Sequence, residues 1–226
     1  QQASVVFGWR SWPELYARFA VEQAAPTRAG VLRFRGSELA DVRLTPLLLE
    51  RLVEQPEPAY ELALIEALPR TGGDWGEAFV SLIQSEEDPS LRAVLVASMR
   101  WAPDAPAFAG IRAGLGDPDG DVRGEAARAV GWHEHGAALA DELVGTLSDD
   151  HPYARAMAAR SLGYKRAHTA FDALLPLLRD SDAEVRLQAL RALGRIDPEA
   201  LAARPELATL AEDPDERISS AVERLR

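Results

Sequence analysis

Four histidines, one dense run of aspartates and a recurring set of arginines are the side chains of this sequence that could do chemistry. His133 and His135 lie two residues apart, and His168 stands in the equivalent loop one period later, so the three could approach one another. A zinc site needs three or four converging ligands, and surface loop histidines, His151 among them, are the simpler reading. Asp117-Pro118-Asp119-Gly120-Asp121 opens like a calcium loop. The position that should carry a bidentate glutamate is Arg128, and an acidic turn ahead of a helix explains the same aspartates. No nucleophile elbow, phosphate loop or dinucleotide fingerprint occurs. Without cysteine there is no thiolate nucleophile, thiolate zinc site or disulfide. The expectation is a chain with no catalytic residues, no metal and no cofactor.

The arginines behave differently, because they recur in register. Arg128, Arg160 and Arg191 form one row, and Trp132, Tyr164 and Arg195 follow each of them by four residues, with Trp101 in a fainter copy upstream. Arginine beside tryptophan and tyrosine is the composition enriched at binding hot spots. The chemistry this row could do is recognition.

The elements that must position the row follow from a repeat. Its clearest copy is Leu178 to Gly194, LRDSDAEVRLQALRALG. With the first leucine as offset zero, the units begin at Leu115, Leu147, Leu178 and Leu210, spaced by 32, 31 and 32 residues. Offset seven holds Val122, Ala154, Val185 and Arg217, and offset eight Arg123, Arg155, Arg186 and Ile218, so the last unit has this pair swapped. Offset eleven is alanine each time, offset fifteen is Val130, Leu162, Leu193 and Leu225, and Gly131, Gly163 and Gly194 follow. Fainter copies carry Leu91, Arg92, Leu95 and Met99, and before them Tyr60, Leu64, Ile65 and Leu68.

Offsets seven, eleven and fifteen share one helical face, with small alanines where a neighbouring helix can approach. Acidic turns precede these helices and offer N-caps and charges that complement the helix dipole. The trailing glycine is expected to end each helix in the left-handed conformation. A shorter apolar helix precedes each turn, so each unit is a pair of antiparallel helices. A period of this length defines an α-solenoid, in which each unit buries its face against its neighbours.

The pattern resembles the HEAT repeat, in the short variety named after phycobilisome lyases. The likeness runs over Leu115 to Arg226 and, more faintly, back to about Thr45. It implies an all-α, right-handed superhelix of about six pairs: 45–54 with 58–68, 75–85 with 88–100, 104–115 with 119–132, 137–148 with 151–164, 168–179 with 182–195, and 199–211 with 214–225. Pro205 is expected to kink or split the first helix of the last pair. The resemblance further implies that Arg92, Arg123, Arg155 and Arg186 form a structural ladder with acidic turn residues of their own or a neighbouring repeat. It also places the second helix of each pair on the concave surface. Offsets six, ten, thirteen and seventeen fall within about 60° of one another at roughly 100° per residue. Arg128, Arg160, Arg191, Trp101, Trp132, Tyr164, Arg195, Met157 and Gln188 are therefore the expected groove residues. Deoxyhypusine hydroxylase, a HEAT-like iron enzyme, carries His-Glu pairs after the arginine position. Here those places hold Gly124-Glu125, Ala156-Met157 and Leu187-Gln188, so that activity is excluded.

Ahead of the array, residues 1–44 read as a cap. Ser11-Trp12-Pro13-Glu14 opens a helix to about residue 23, and Phe7, Trp9, Trp12, Leu15, Tyr16 and Phe19 crowd it. AGVLRFRG at 29–36 alternates like a short extended segment. With Arg28 and Arg43 it is the most basic stretch, a second candidate for contact with an acidic partner. The 45–226 array reads as one continuous domain.

The 226 residues are 47% apolar and 27% charged, enough to bury a core. The formal net charge is -11, and the 25 basic residues include a single lysine, Lys165. An acidic chain disfavours general nucleic-acid binding, which relies on a positive field. No apolar run approaches the roughly 20 residues of a membrane span. Gln1 at the start leaves a cytoplasmic protein as the first expectation and a periplasmic or exported one as the alternative. The expected function is a non-enzymatic scaffold or adaptor that holds a peptide, helix or protein partner, acidic in character. The alternatives are a HEAT-like nucleic-acid-binding or DNA glycosylase-type protein and a bilin lyase or chromophore chaperone. Neither the partner nor the oligomeric state is legible.

Overall fold

The computed structural model describes residues 45–53 and 58–224. The expected N-terminal cap at 1–44, with its helix 11–23, its extended segment 29–36 and Arg28 and Arg43, lies outside the described residues. Within them the chain forms thirteen α-helices and no strand. The first helices of the pairs are α1 (Thr45–Val53), paired with α2 (Pro58–Ala67), α3 (Gly76–Ser85) with α4 (Pro89–Ser98), and α5 (Asp104–Leu115) with α6 (Gly120–Trp132). There follow α7 (Ala140–Thr146) with α8 (Pro152–Tyr164), α9 (Phe171–Leu174) with α10 (Ala183–Ile196), and α11 (Pro198–Ala202) with α12 (Glu206–Leu210) against α13 (Glu216–Glu223).

The second helices α4, α6, α8 and α10 pack side by side, and the first helices cover their other flank. One run of buried apolar side chains extends from Leu48 to Val222. Val122, Ala126 and Val130 are sealed in it, as are Ala158 and Leu162 and then Val185, Ala189 and Leu193, and Ala154 is buried as well. These are offsets seven, eleven and fifteen. In the last unit Ile218 and Val222 take their place and Arg217 is exposed, so the register moves on by one.

Two of the first helices are broken, for one reason. Pro205 separates α11 from α12. Pro176 does the same to the expected helix 168–179, which is a 3-10 turn, the short α9 and the 3-10 turn Leu175–Arg179. Proline lacks the N–H that an α-helical turn requires.

The glycine at offset sixteen does not end its helix. Gly131, Gly163 and Gly194 lie inside α6, α8 and α10, and among the described residues Gly72 is the glycine with positive φ. Close packing explains the first two. A Cβ on Gly163 would stand 2.6 Å from the Ala192 Cα, and one on Gly131 2.5 Å from the Ser161 hydroxyl oxygen. The left-handed residue that ends α8 is Arg166, with φ 49°, and the Ala167 amide returns to the Leu162 carbonyl.

The turns are tied together by four rungs of one design. Arg92 pairs with Asp117, Arg123 with Asp149, Arg155 with Asp180 and Arg186 with Asp213, at 2.7, 2.7, 2.8 and 2.8 Å. In each, Nε and Nη2 grip both oxygens of an aspartate in the following repeat. Nη1 donates to two carbonyls in the turn of its own repeat, for Arg155 those of Asp149 and Asp150. Each aspartate also accepts the amide two residues on, from Asp119, His151, Asp182 and Asp215. Those turn residues start the next second helix, and Asp119, Asp182 and Asp215 cap it with their own side chains. One guanidinium thus fixes its own turn and the next, a geometry that the planar fork of arginine allows.

Candidate functional site

The large apolar side chains exposed among the described residues are Trp101, Trp132 and Tyr164, at 65%, 58% and 43%. Trp132 and Tyr164 are the last residues of α6 and α8, and Trp101 ends the 3-10 turn Met99–Trp101 that follows α4. Arg195, next to the end of α10, continues the series. The second helices therefore present one edge of matched positions across four repeats.

The members of this row touch. The Trp132 and Tyr164 ring centroids are 6.0 Å apart. The Arg195 Cζ lies 4.7 Å from the Tyr164 ring centroid and the Arg160 Cζ 5.3 Å from it. Arg160 Nη2 also donates to the Tyr164 hydroxyl at 3.3 Å. At the other end the Arg100 Cζ lies 5.2 Å from the Trp101 ring centroid. Cations over aromatic faces at these distances attract the ring quadrupole. Arg100 was not among the residues read from the sequence, although a cation beside a terminal tryptophan was a usable signal.

Two hollows adjoin Trp101. One of about 690 Å³ spans α2, α4 and α6 and is lined by Arg70, Val94, Ser98, Arg100, Trp101 and Arg128, among others. The second, about 510 Å³, separates Trp101 from Trp132 and is walled by Asp104, His133 and His135.

The expected arginine row divides in two. Arg128 Nε donates to Glu125 at 2.8 Å, and Glu125 also accepts the Tyr153 hydroxyl at 2.6 Å. Burial and this carboxylate push the Tyr153 phenol well above its ordinary range. Arg160, Arg191 and Arg195 have no carboxylate partner among the described residues. Arg191 and Arg195 are exposed and Arg160 is half-buried. The Tyr164 phenol is held below the usual range, first by the Arg160 hydrogen bond and then by the charges of Arg160, Arg195 and Arg191.

Met157 and Gln188 are corrections to the expected groove. Both are nearly sealed, at 6% exposure, Met157 within the apolar core and Gln188 donating to Glu184 at 2.6 Å. The tight packing of α8 between α6 and α10 closes over these positions.

The histidines are separate in role. His133 is buried, with Nε2 3.0 Å from the Ala102 carbonyl and Nδ1 accepting the His135 amide at 3.2 Å. His135 Nδ1 lies 2.9 Å from Asp104, which raises its pKa, and His168 is exposed. Among the described residues no group of three or more His, Asp or Glu is placed to hold a metal. Asp117, the first residue of the calcium-like run, is held by Arg92.

A stack of helix pairs interlocked through their turns defines an α-solenoid. Residues 137–226 match the family described as HEAT repeats. An engineered protein solved by a structural genomics consortium is similar at a TM-score of 0.57 with 19% identity, over 99% of this chain and 69% of that one. A second engineered protein from the same source scores 0.49 at 20% identity, over 81% of this chain and 96% of that one. A designed armadillo repeat protein scores 0.48 at 18% identity, over 94% and 97%. No curated protein matches the sequence.

Proposed function

We propose that this chain is a non-enzymatic interaction scaffold that holds an extended peptide or a segment of a folded partner along the ends of its second helices. One observation carries the reading. The exposed large apolar side chains, Trp101, Trp132 and Tyr164, occupy equivalent positions of three successive repeats and are interleaved with arginines. Solenoids present extended surfaces of this kind, and aromatic and arginine side chains dominate binding energy where partners meet. Arg100, Arg160, Arg191 and Arg195 favour an acidic partner, against a chain of net charge -11. No helix among the described residues is long and apolar enough to cross a membrane.

The test is selection from a random peptide library on the wild-type chain. Selected peptides should be rich in Asp and Glu. The combined substitution Trp101→Ala, Trp132→Ala and Tyr164→Ala should weaken them at least tenfold, while Arg112→Ala, on first helix α5, leaves them unchanged. Peptides indifferent to the triple substitution would remove this face from consideration.

A further inference from the structure

The scaffold reading uses Arg160, Arg191 and Arg195 only as a general preference for an acidic partner, yet no described carboxylate pairs with any of them. The ladder arginines are each neutralised by an aspartate, and Arg128 by Glu125. These three come from two adjacent second helices, α8 and α10; Arg160 and Arg195 both contact Tyr164, and Arg191 stands one helical turn before Arg195. Arg160 and Arg195 approach its ring from 5.3 and 4.7 Å, and Arg160 reaches its hydroxyl. Trp132 closes the next side at 6.0 Å. Three guanidinium groups without a counter-charge repel one another, and nothing in the packing requires them, since Arg191 and Arg195 are exposed. One carboxylate would balance a single cation of the three. A phosphoryl group carries about -1.5 to -2 charges and three acceptor oxygens, which suit forked donors arriving from several directions.

We infer that Arg160, Arg191, Arg195 and the Tyr164 hydroxyl form a binding site for a phosphorylated side chain of a partner peptide, with Trp132 flanking the residue beside it. The site rests on the proposed interaction face and adds its chemistry. Arg160 is held towards the Tyr164 hydroxyl, and Arg195 is held over its ring, so the cluster is partly organised before the ligand arrives. The phenol presents a donor or an acceptor as the ligand requires.

The experiment is calorimetric titration of the wild-type chain with inorganic phosphate and with a pentapeptide carrying a central phosphoserine between alanines. Matching peptides with serine and with glutamate at that position complete the set. The phosphopeptide should bind saturably and at least tenfold more tightly than either analogue. Inorganic phosphate should compete with it, and affinity should rise between about pH 5.5 and 7, as the second phosphate proton leaves near pH 6. Arg191→Ala and Arg195→Ala should each weaken binding at least fivefold and the triple substitution with Arg160→Ala should abolish it, while Arg128→Ala leaves it intact. The three lie outside the ladder and the core, and an unchanged thermal unfolding curve verifies that the variants fold. Equal binding of the glutamate peptide, or undiminished binding by the triple variant, overturns the site. So does tighter binding of a DNA oligonucleotide with a steep salt dependence, which would assign the cluster to nucleic-acid phosphates. If the phosphopeptide fails while library-selected peptides still depend on Trp101, Trp132 and Tyr164, the scaffold reading stands and the phosphoryl site falls.

Discussion

Arg155 holds Asp180, 25 residues further along the chain, through two hydrogen bonds of 2.8 Å, and the same guanidinium holds the carbonyls of Asp149 and Asp150. Both side chains are largely shielded, at 15% and 11% exposure. Removing the arginine therefore strands an aspartate and two carbonyls. Arg155→Ala should lower the unfolding free energy by about 2–3 kcal/mol, and Arg155→Lys by nearly as much, because an ammonium cannot serve four acceptors in one plane. The exposed pair Arg112–Glu142 is the control, and Arg112→Ala should cost under about 0.5 kcal/mol. Urea unfolding followed by circular dichroism measures both, and a loss below that control for Arg155→Ala would show that the rung is ornamental.

Acid should dissolve the ladder in a defined direction. Burial is the largest single influence on the Asp117 and Asp180 carboxyls and pushes them up, but the hydrogen bonds from Arg92 and Arg155, those from the Asp119 and Asp182 amides and the charges of the ladder arginines together outweigh it and hold both below the ordinary value of 3.8. The bonds from Arg123 and Arg186 are the leading cause of the same shift in Asp149 and Asp213. Below that ordinary value the unfolded chain takes up protons that the folded chain still refuses. The stabilisation is complete above it and is lost as pH falls through the folded values. The urea midpoint should be flat from about pH 5 to 7 as far as these groups decide it and fall steeply below about pH 4. Asp180→Asn should be less stable at neutral pH and less sensitive to acid.

The ladder stops at an acidic pair. Glu61 and Glu86 stand 31 residues before Arg92 and Asp117, and so take their places one repeat earlier. Glu86 accepts the Asp88 amide at 2.8 Å, as Asp117 accepts that of Asp119. Burial, then Glu86 and Asp88, push the Glu61 carboxyl above its ordinary value of 4.5. A raised carboxyl destabilises the fold once ionised, so the deficit appears as pH rises past that value. Glu61→Gln should raise the urea midpoint at pH 7 and leave it unchanged near pH 3.5. Glu61→Arg should add a fifth rung to Glu86 and stabilise by about 1 kcal/mol at pH 7. A destabilised Glu61→Arg would mean that the position has lost ladder geometry.

Tyr164 reports on its arginines. Its phenol should titrate below the ordinary value of 10.0, read as the rise in absorbance near 295 nm in a chain whose other tyrosines are replaced by phenylalanine. Arg160→Ala should move that titration upward more than Arg191→Ala, because the Arg160 hydrogen bond is the largest cause. Equal, null effects would separate the three cations from the phenol.

The helix pairs were legible because apolar and alanine positions recur at helical spacing, and the ladder arginines because they recur beside them. Their partners were not legible, since a repeat contains several turn aspartates and only the stacked geometry selects Asp117, Asp149, Asp180 and Asp213. For Arg186 the turn of its own repeat offers Asp180 and Asp182, whereas the carboxylate it grips is Asp213 in the next, with Asp180 lending a carbonyl. Gly163 is another such case. A glycine that ends a helix and one that lets Ala192 approach look alike until the second helix is in place. Met157 and Gln188 were placed on the groove by angle alone, which ignores how far a neighbouring helix overhangs. The aromatic row Trp101, Trp132 and Tyr164 was legible residue by residue. That Arg128 is neutralised while Arg160, Arg191 and Arg195 are left over depends on rotamers that no spacing encodes.

The four rungs also set how the molecule would carry tension. Each joins one repeat to the next, so a load applied along the stack passes in series from Arg92 to Asp213. The helix pair ahead of Arg92 has two carboxylates where the others have a clasp, and it is the link that gives first.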